Sequence, residues 1–343
     1  METKILKVQS IFQNPDELQT AADILAKGGL VAFPTETVYG LGANGLNEDA
    51  VRSIFAAKGR PSDNPLILHI CDTEQLPQLA REIPDEAIKL ALEFWPGPLT
   101  MVLPKTDRVP DAVSGGLDTV AIRFPNNLIA REIIRRSGKP IAAPSANLSG
   151  SPSPTTAQHC IDDLMGRVDA IVDGGSCGVG LESTVISLAT EVPTVLRPGG
   201  ITVEQLRAVL GEVQVDPAVT EPMKDGQKAA SPGMKYKHYA PKAKVILLDG
   251  DSGAFANYVN THKNDGVFAL CFSEDVPALE VPVICYGGKD DADEQAHALF
   301  DALRRLDDEG AKEVYAHCPS KDGVGLAVYN RLLRAAAFQV ISL

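Results

Sequence analysis

Short apolar runs alternate with amphipathic segments along the first 210 residues of the chain. Apolar runs bounded by turn residues predict strands, and apolar residues that recur every three or four positions predict helices. The segment that starts near Pro15, for example, carries Leu18, Ala22 and Leu25 on one helical face. It ends at Gly28, as a helix does. The alternation of the two patterns predicts an α/β domain with a mixed sheet.

The predicted elements of this first part follow one another closely. Strands are expected at 4–11, 30–33, 66–70, 100–103, 119–124, 141–144, 170–172, 184–188 and 194–196. Helices are expected at 15–27, 47–58, 84–94, 127–137, 155–165 and 202–210.

The pattern changes after residue 210. No periodicity holds from Gly211 to Ala243, a stretch rich in proline and lysine. Strands are then predicted at 244–248, 267–272, 281–286 and 313–317, with helices at 254–261, 294–306 and 325–337. We therefore predict a first domain at 1–211, a linker at 212–242 and a smaller, open α/β domain of Rossmann-like type at 243–343.

Several predicted strands end in polar loops rich in glycine and proline. The segment F-P-T-E-T-V-Y-G-L-G at 33–42 follows one such strand. We interpret it as a loop in which Gly40 and Gly42 let backbone N–H groups approach a ligand. Because so many strand ends share this character, they are expected to form one pocket.

Four cations lie at the mouths of these loops: Lys58, Arg60, Arg123 and Arg197. Hydroxyl side chains accompany them, at Thr35, Thr37, Ser145, Ser183 and Thr184. No metal-ligand cluster or paired-carboxylate motif is evident. This set suits phosphoryl or nucleotidyl transfer, which depends on positioning and charge stabilisation more than on a nucleophilic side chain.

The same residues have simpler explanations. Lys58 and Arg60 could cap the end of a helix, where cations are common. Arg123 lies in an apolar strand and needs an anionic partner, which either a structural carboxylate or a ligand carboxylate would provide. A lone His69 at a strand end is more often a satisfied core histidine than a functional one.

Composition narrows the function further. The chain has 343 residues, 44% of them hydrophobic, and a net charge of −13. Such an acidic chain is not expected to bind nucleic acid through general basicity, although a local basic site is compatible with it. The six cysteines form no C-x-x-C pair, and no apolar run is long enough to span a membrane. We expect a soluble, cytoplasmic protein with reduced thiols and no membrane association.

A series of motifs in fixed order points to one family. They are F-P-T-E-T-V-Y-G-L-G (33–42), K-G-R-P (58–61), N-P-L-I-L-H-I (64–70), W-P-G-P-L-T (95–100), I-R-F-P (122–125), P-S-A-N-L-S-G (144–150), E-S-T-V (182–185) and R-P-G (197–199). The ordered set resembles the YrdC-type family of threonylcarbamoyl-AMP synthases. The segment S-P-G-M-K-Y-K-H-Y-A-P at 231–241 is similar to the linker of the two-domain form of that family.

The resemblance implies a YrdC-like fold for the first domain, and it implies a reaction. L-Threonine and bicarbonate (or carbon dioxide) would form a carbamate, which attacks the α-phosphorus of ATP to give threonylcarbamoyl-adenylate and pyrophosphate. Mg²⁺ would accompany ATP, held mainly by phosphates and water. A partner transferase would then modify the adenosine next to the anticodon of tRNA, and whether this chain itself contacts tRNA is left open.

The resemblance also implies site residues. Lys58 and Arg60 would act on the reacting phosphates. ATP contacts would fall on Lys58, Arg60, Asn64, Thr119, Ser145, Ser153, Arg197 and Tyr239, with Tyr236 as the alternative to Tyr239. Threonine contacts would fall on Thr35 or Thr37, His69, Arg123, Ala143 and Ser183. The linker is expected to cover the ATP site as a lid.

Two other functions compete with this one. The first is an RNA-binding module of the same fold, which the acidic charge and the aromatic content of 5% disfavour. The second is a carbamoyltransferase-type enzyme with a different acceptor, which would need further domains.

Overall fold

The computed structural model describes residues 2–223 and 239–343, which form two α/β units with one sheet each. The strands are β1 (Lys4–Lys7), β2 (Val31–Phe33), β3 (Gly40–Asn44), β4 (Ile67–His69), β5 (Leu99–Pro104), β6 (Thr119–Arg123), β7 (Ile141–Ala142), β8 (Ala170–Asp173), β9 (Thr184–Ser187), β10 (Thr194–Arg197), β11 (Gln214–Val215), β12 (Lys244–Asp249), β13 (Val267–Cys271), β14 (Val283–Cys285), β15 (Glu313–His317) and β16 (Val340–Ser342). The helices are α1 (Pro15–Ala26), α2 (Glu48–Lys58), α3 (Leu76–Leu79), α4 (Asp85–Phe94), α5 (Asp111–Ser114), α6 (Leu128–Ser137), α7 (Ala157–Leu164), α8 (Val203–Leu210), α9 (Ser252–Thr261), α10 (Ala292–Asp308) and α11 (Gly325–Ala335).

The first sheet has 11 strands in the order β1-β8-β2-β3-β7-β4-β6-β5-β9-β10-β11. It is mixed, as the sequence predicts: β4 and β6 are parallel, for example, while β5 and β6 are antiparallel. Apolar side chains from both faces of this sheet pack against the helices of the first unit. The ends of its central strands, together with the loops that follow them, supply most of the functional site.

One prediction for the first unit is wrong. The segment 33–42 is not a continuous loop, because Gly40 begins strand β3, which pairs antiparallel with β2. The glycines serve close packing here. A Cβ at Gly42 would lie 2.6 Å from the Phe33 ring and 2.8 Å from the Ile141 side chain. Thr35, Thr37, Val38 and Tyr39 of the turn between the two strands line the cavity described below, together with Gly40 at the start of β3.

The second sheet has five parallel strands in the order β14-β13-β15-β12-β16. The sequence predicts four of them, and β16 was not anticipated because it is a short, half-exposed terminal strand. Helices α10 and α11 pack together on the face that turns to the first unit. Their apolar core includes Val38 and Leu181 of the first unit, so the two units share one interface core.

The connection between the units is tied to both of them. Strand β11 pairs with β10 of the first sheet, beyond the predicted domain end at residue 211. From α11, Asn330 Nδ2 donates to Val219 O at 2.6 Å and Arg334 Nη2 donates to Ala218 O at 2.8 Å. The described chain resumes at Tyr239, and Ala240 N donates to Gly150 O at 3.0 Å. Residues 224–238 of the predicted linker, including Tyr236, lie outside the described residues, and the predicted boundaries stay predictions.

Within the described ranges, no helix combines the length and the apolar composition that crossing a bilayer requires.

Candidate active site

One open cavity collects most of the predicted site residues. Its open volume, with the mouth and the adjoining solvent included, is about 700 Å³. Its wall contains Thr35, Thr37, Lys58, Arg60, His69, Arg123, Ala143, Ser145, Ser183, Arg197 and Tyr239 from the predicted set. Three predicted residues are not part of the wall: Asn64, Thr119 and Ser153.

Arg123 defines one side of the cavity, which we call the Arg123 half. The guanidinium is 4% exposed, and its Nη2 lies 2.7 Å from Glu36 Oε1. Its Nη1 donates to Thr37 Oγ1 at 2.8 Å, and its Nε donates to Gly97 O at 3.4 Å. The sequence left open whether the partner of Arg123 is a structural carboxylate or a ligand carboxylate. The structure contains a structural carboxylate at this position, that of Glu36 in the turn between β2 and β3.

The two threonines of that turn have linked roles. Their hydroxyl oxygens lie 2.8 Å apart, and Thr35 Oγ1 donates to Val38 O at 2.6 Å. Since the Thr35 proton is used in this bond, Thr37 Oγ1 donates to Thr35 Oγ1 while accepting from Arg123. Both residues line the cavity, so both remain candidates for a ligand contact.

His69 lies beside Arg123 because β4 and β6 pair in register at these two residues. It is 3% exposed, and its Nδ1 lies 3.2 Å from Ile67 O. Burial, helped by the positive charge of Arg123, lowers the pKa of His69 to about 3. The imidazole is therefore neutral at physiological pH and offers a hydrogen bond without adding charge.

Lys58 ends helix α2, which Asn47 caps at its beginning and Gly59 closes at φ +62°. Its side chain is buried, and its Nζ donates to Ser145 O at 2.5 Å and also to Asn147 O. Burial and the charge of Arg60 lower the pKa of Lys58 well below its usual value. Lys58 thus fixes the loop that carries Ser145, in addition to any contact with a phosphate.

A second part of the wall, which we call the Arg197 half, contains a buried charge network. Arg197 donates through Nε and Nη2 to Ser183 O, at 3.1 and 3.0 Å, and through Nη2 to Ser183 Oγ at 3.2 Å. Beside it, Glu182 Oε2 lies 2.9 Å from Arg331 Nε of α11, and Glu182 Oε1 accepts from Ser153 Oγ. Burial acts to raise the pKa of Glu182, but the charges of Arg331 and Arg197 and the Ser153 hydrogen bond outweigh it and lower the pKa.

Arg331 was not identified from the sequence, although it is the largest fully buried side chain. Its Nη1 also donates to Pro198 O at 2.8 Å. Its guanidinium lies 5.6 Å from the centre of the Tyr239 ring, and that ring packs 5.3 Å from the ring of Phe300. No local motif marks Arg331, because its charged partner Glu182 is 149 residues away in the sequence.

Arg304 of α10 forms a second bridge between the units. It contacts both carboxylate oxygens of Asp163 at 3.2 and 2.8 Å and donates to Pro152 O at 2.6 Å. Asp163 in turn accepts from Leu148 N at 3.3 Å. The second unit therefore also holds the loop between Ser145 and Ser153, the loop to which Lys58 donates from the other side.

Some buried polar atoms near the cavity have no hydrogen-bond partner among the described residues. Both amide atoms of Asn64 and Oδ1 of Asn147 belong to this group. An unsatisfied buried polar group is costly, and such groups often mark places where a ligand or water binds. Asn64 is not part of the cavity wall, and its predicted contact with ATP stays a prediction. Thr119 lies at the start of β6, opposite Pro104 of β5.

No group of three or more His, Cys, Asp or Glu side chains suited to a metal ion occurs within 2–223 and 239–343. A divalent cation at this site would need phosphate oxygens and water as its main ligands, as Mg²⁺ accepts.

The fold and the cavity define an α/β protein whose cavity wall carries four cationic side chains, Lys58, Arg60, Arg123 and Arg197. Residues 23–199 match the Sua5–YciO–YrdC family, described as telomere recombination, and residues 201–337 match the threonylcarbamoyl-AMP synthase C-terminal domain. The chain is 49% identical over 333 residues to the threonylcarbamoyl-AMP synthase of Pyrococcus abyssi, with 95% of each chain covered.

Two further comparisons agree. The threonylcarbamoyl-AMP synthase of Bacillus subtilis is 46% identical over 332 residues, which cover 96% of this chain and 95% of that protein. The crystal structure of P. abyssi Sua5 complexed with L-threonine has a TM-score of 0.91 and 44% identity, and 100% of both chains is covered. The chain belongs to the Sua5 family of threonylcarbamoyl-AMP synthases, in its two-domain form. This confirms the family resemblance and the fold class expected from the motifs.

Proposed function

We propose that the chain is an L-threonylcarbamoyladenylate synthase, which makes threonylcarbamoyl-AMP and pyrophosphate from L-threonine, bicarbonate or carbon dioxide, and ATP. The observation that carries the proposal is the single cavity that joins the Arg123 half to Lys58, Arg60 and Arg197. Family membership and the relative crystallised with L-threonine support it. The product would serve modification of tRNA next to the anticodon, in the cytoplasm, through a separate transferase.

The amino acid would bind in the Arg123 half. Arg123 is the buried cation available for its carboxylate, and a charge-assisted pair of this kind is strong in a dehydrated pocket. Thr35, Thr37, His69, Ala143 and Ser183 would surround the rest of the molecule. His69 remains neutral and therefore would not repel the amino group of the substrate.

ATP would bind towards the Arg197 half. Lys58 and Arg60 would contact the phosphates, which makes them the candidate catalytic residues because charge develops on the phosphate oxygens during transfer. Ser145, Arg197 and Tyr239 line this part of the cavity, while Asn64, Thr119 and Ser153 lie around it. Bound Mg²⁺ would neutralise part of the phosphate charge.

Reaction requires the carbamate oxygen of threonine to meet the α-phosphorus of ATP. The cavity would hold the two substrates side by side and so replace an encounter in solution with a fixed orientation. Tyr239 closes one wall of the cavity through its contact with Phe300. This position supports the proposal that the end of the linker helps to exclude water from a labile adenylate.

The test is ATP–pyrophosphate exchange combined with mass spectrometry of the product. We expect exchange that depends on both threonine and bicarbonate, and a product with the mass of threonylcarbamoyl-AMP. Omission of threonine, or its replacement by other amino acids, serves as the control. Exchange that ignores threonine would contradict the proposal.

The alternative of an RNA-binding module is not favoured. The cavity is lined by the cationic and hydroxyl side chains described above. The matched relatives, which align with this chain over 95% of their length, are named threonylcarbamoyl-AMP synthases.

A further inference from the structure

Glu36 is a buried carboxylate next to the cavity that the proposed reaction does not use. Its Oε1 lies 2.7 Å from Arg123 Nη2, and its side chain is 16% exposed. Both carboxylate oxygens are shielded from solvent, and neither has a hydrogen-bond partner among the described residues, so the contact of Oε1 with Arg123 is an ion pair. The charge of Glu36 is therefore directed at Arg123 and is weakly screened by water.

Glu36 reaches Arg123 from outside the cavity. Thr35, Thr37 and Val38 of the same turn line the cavity, whereas Glu36 is absent from its wall. The turn is held in place from behind, because Val179 N donates to Glu36 O at 2.8 Å and Gly180 N donates to Thr37 O at 3.1 Å. A ligand can thus meet the guanidinium of Arg123 while Glu36 remains in place.

We propose that Glu36 is a specificity-determining and positioning residue of the amino-acid pocket: it neutralises Arg123, so that the pocket selects an amino acid over a simple carboxylate. This inference rests on the proposed function, because it assumes that the amino acid binds at Arg123. A fixed negative charge behind Arg123 weakens the binding of every carboxylate. It also favours a positive charge nearby, and an amino acid carries an ammonium group where a simple carboxylate has none.

Glu36 also orients the guanidinium. Thr37 and Gly97 accept hydrogen bonds from Nη1 and Nε of the guanidinium, and the Glu36 carboxylate forms an ion pair with Nη2 at 2.7 Å. An arginine held in this way meets its ligand in one orientation. The positioning role of Glu36 can be separated from the role of its charge, because Glu36→Gln keeps the size and shape of the side chain but removes the charge.

The experiment measures binding of two probes to the full-length chain by competition against labelled L-threonine. One probe is L-threonine itself, and the other is 3-hydroxybutyrate with the same configuration at its hydroxyl carbon, which lacks the amino group. For Glu36→Gln we expect the affinity of 3-hydroxybutyrate relative to threonine to rise about tenfold, because the effect on the shared carboxylate cancels in the ratio and only threonine loses the attraction between its ammonium group and the Glu36 charge. Glu36→Asp shortens the side chain by one methylene and so moves the charge away from Arg123. For this variant we expect the same affinity ratio to rise about two- to threefold.

The matched control is Glu132→Gln. Glu132 is 19% exposed and pairs with Arg135 and Arg136 at 2.6 and 2.8 Å, so it resembles Glu36 in burial and pairing, but it lies on α6 outside the cavity wall. This variant should keep the wild-type affinity ratio within twofold. A purely structural role of Glu36 would weaken both probes together and leave the ratio unchanged.

The outcomes are distinct. An unchanged ratio in either folded Glu36 variant overturns the inference even when threonine binds normally. Failure of the wild-type chain to bind threonine overturns the proposed function instead. Nucleotide binding and thermal unfolding show whether each variant is folded.

Discussion

The two halves of the cavity use the same chemistry but are built differently. In the Arg123 half, a buried arginine is neutralised by Glu36, and both residues belong to the first unit. In the Arg197 half, the carboxylate is Glu182, and it needs Arg331 from helix α11 of the second unit. The comparison shows that the second unit supplies a charged partner, Arg331, in the Arg197 half and packs apolar side chains against Val38 in the Arg123 half.

This difference suggests that the two halves of the site depend on helix α11 to different degrees. The Arg123 half should remain intact when contacts to α11 are disturbed. The Arg197 half should not, because Glu182 would then be a buried, incompletely paired charge. The predictions that follow test this contrast, beginning with the largest expected effect.

Replacing Arg331 with alanine should be the most damaging change. It removes one partner of a buried pair at 2.9 Å, and breaking such a pair costs about 3–5 kcal/mol of unfolding free energy. Urea unfolding measures this loss, and calorimetry should show weakened ATP binding. Arg305→Ala, on the exposed side of α10, should cost less than about 1 kcal/mol.

A double variant sharpens the Arg331 prediction. Arg331→Met combined with Glu182→Gln removes both charges and should recover much of the lost stability, since the penalty comes from the unpaired charge. If the double variant is as unstable as Arg331→Ala, packing of the side chain rather than its charge holds the interface.

Replacing Arg123 with alanine should weaken threonine binding by about 2–5 kcal/mol, because a buried charge-assisted contact is lost. ATP affinity should change much less, since Arg197 and Lys58 are untouched. Calorimetry with each ligand separates the two effects. Threonine affinity equal to that of the wild type would remove Arg123 from the amino-acid site.

Gly180 offers a test of the contact between α10 and the turn that carries Glu36. It has φ +84°, and a Cβ there would lie 2.5 Å from His297 Cα and 2.6 Å from Ala296 O. Gly180→Ala should cost about 1–3 kcal/mol of unfolding free energy through backbone strain and overpacking. Gly178→Ala is the matched control, because a Cβ at Gly178 meets nothing within 4 Å. Equal stability of the two variants would mean that the units can separate here without cost.

The smallest effect concerns pH. The pKa of His69 is about 3 in the folded chain against 6.5 for an ordinary histidine, so the unfolded chain binds more protons between these values. The stabilising contribution is complete above pH 6.5 and is lost as the pH falls towards 3. Between pH 6 and pH 5, the unfolding free energy of the wild type should therefore fall by about 1 kcal/mol more than that of His69→Gln. Parallel pH profiles for the two proteins would contradict the buried, neutral histidine.

Local signals predicted the fold well where a motif fixes both ends of an element. Helix α2 was expected to reach from the Asn47 cap to Lys58, and it spans Glu48–Lys58 with Gly59 in the left-handed region. Strand β3 was missed because glycine weakens a strand pattern and its usual meaning is a turn. At Gly40 and Gly42 the absence of a side chain serves tight packing on Ala143, Phe33 and Ile141 instead.

The motif residues that line the cavity were predictable from local signals, but their partners were not. The cations and hydroxyls of the motifs do converge on one cavity, because parallel and antiparallel neighbours bring the ends of β4, β6 and β10 together. Their partners could not be predicted. Pairing of Glu36 with Arg123, and of Glu182 with Arg331, depends on three-dimensional contacts between distant segments, and no spacing along the chain encodes them.

The hydrogen bonds that anchor the connection at both ends affect how the chain between the units can vary in length. Val219 is hydrogen-bonded to Asn330 on one side, and Ala240 is hydrogen-bonded to Gly150 on the other. Since these two anchor points are fixed by the folded units, the intervening residues do not determine the distance between the sheets. In general, doubling the number of residues between two held ends costs only about 0.6 kcal/mol of loop-closure free energy. Insertions between 220 and 238 should therefore leave the interface intact, and natural variation in length can accumulate there without disturbing Arg331 or Glu182.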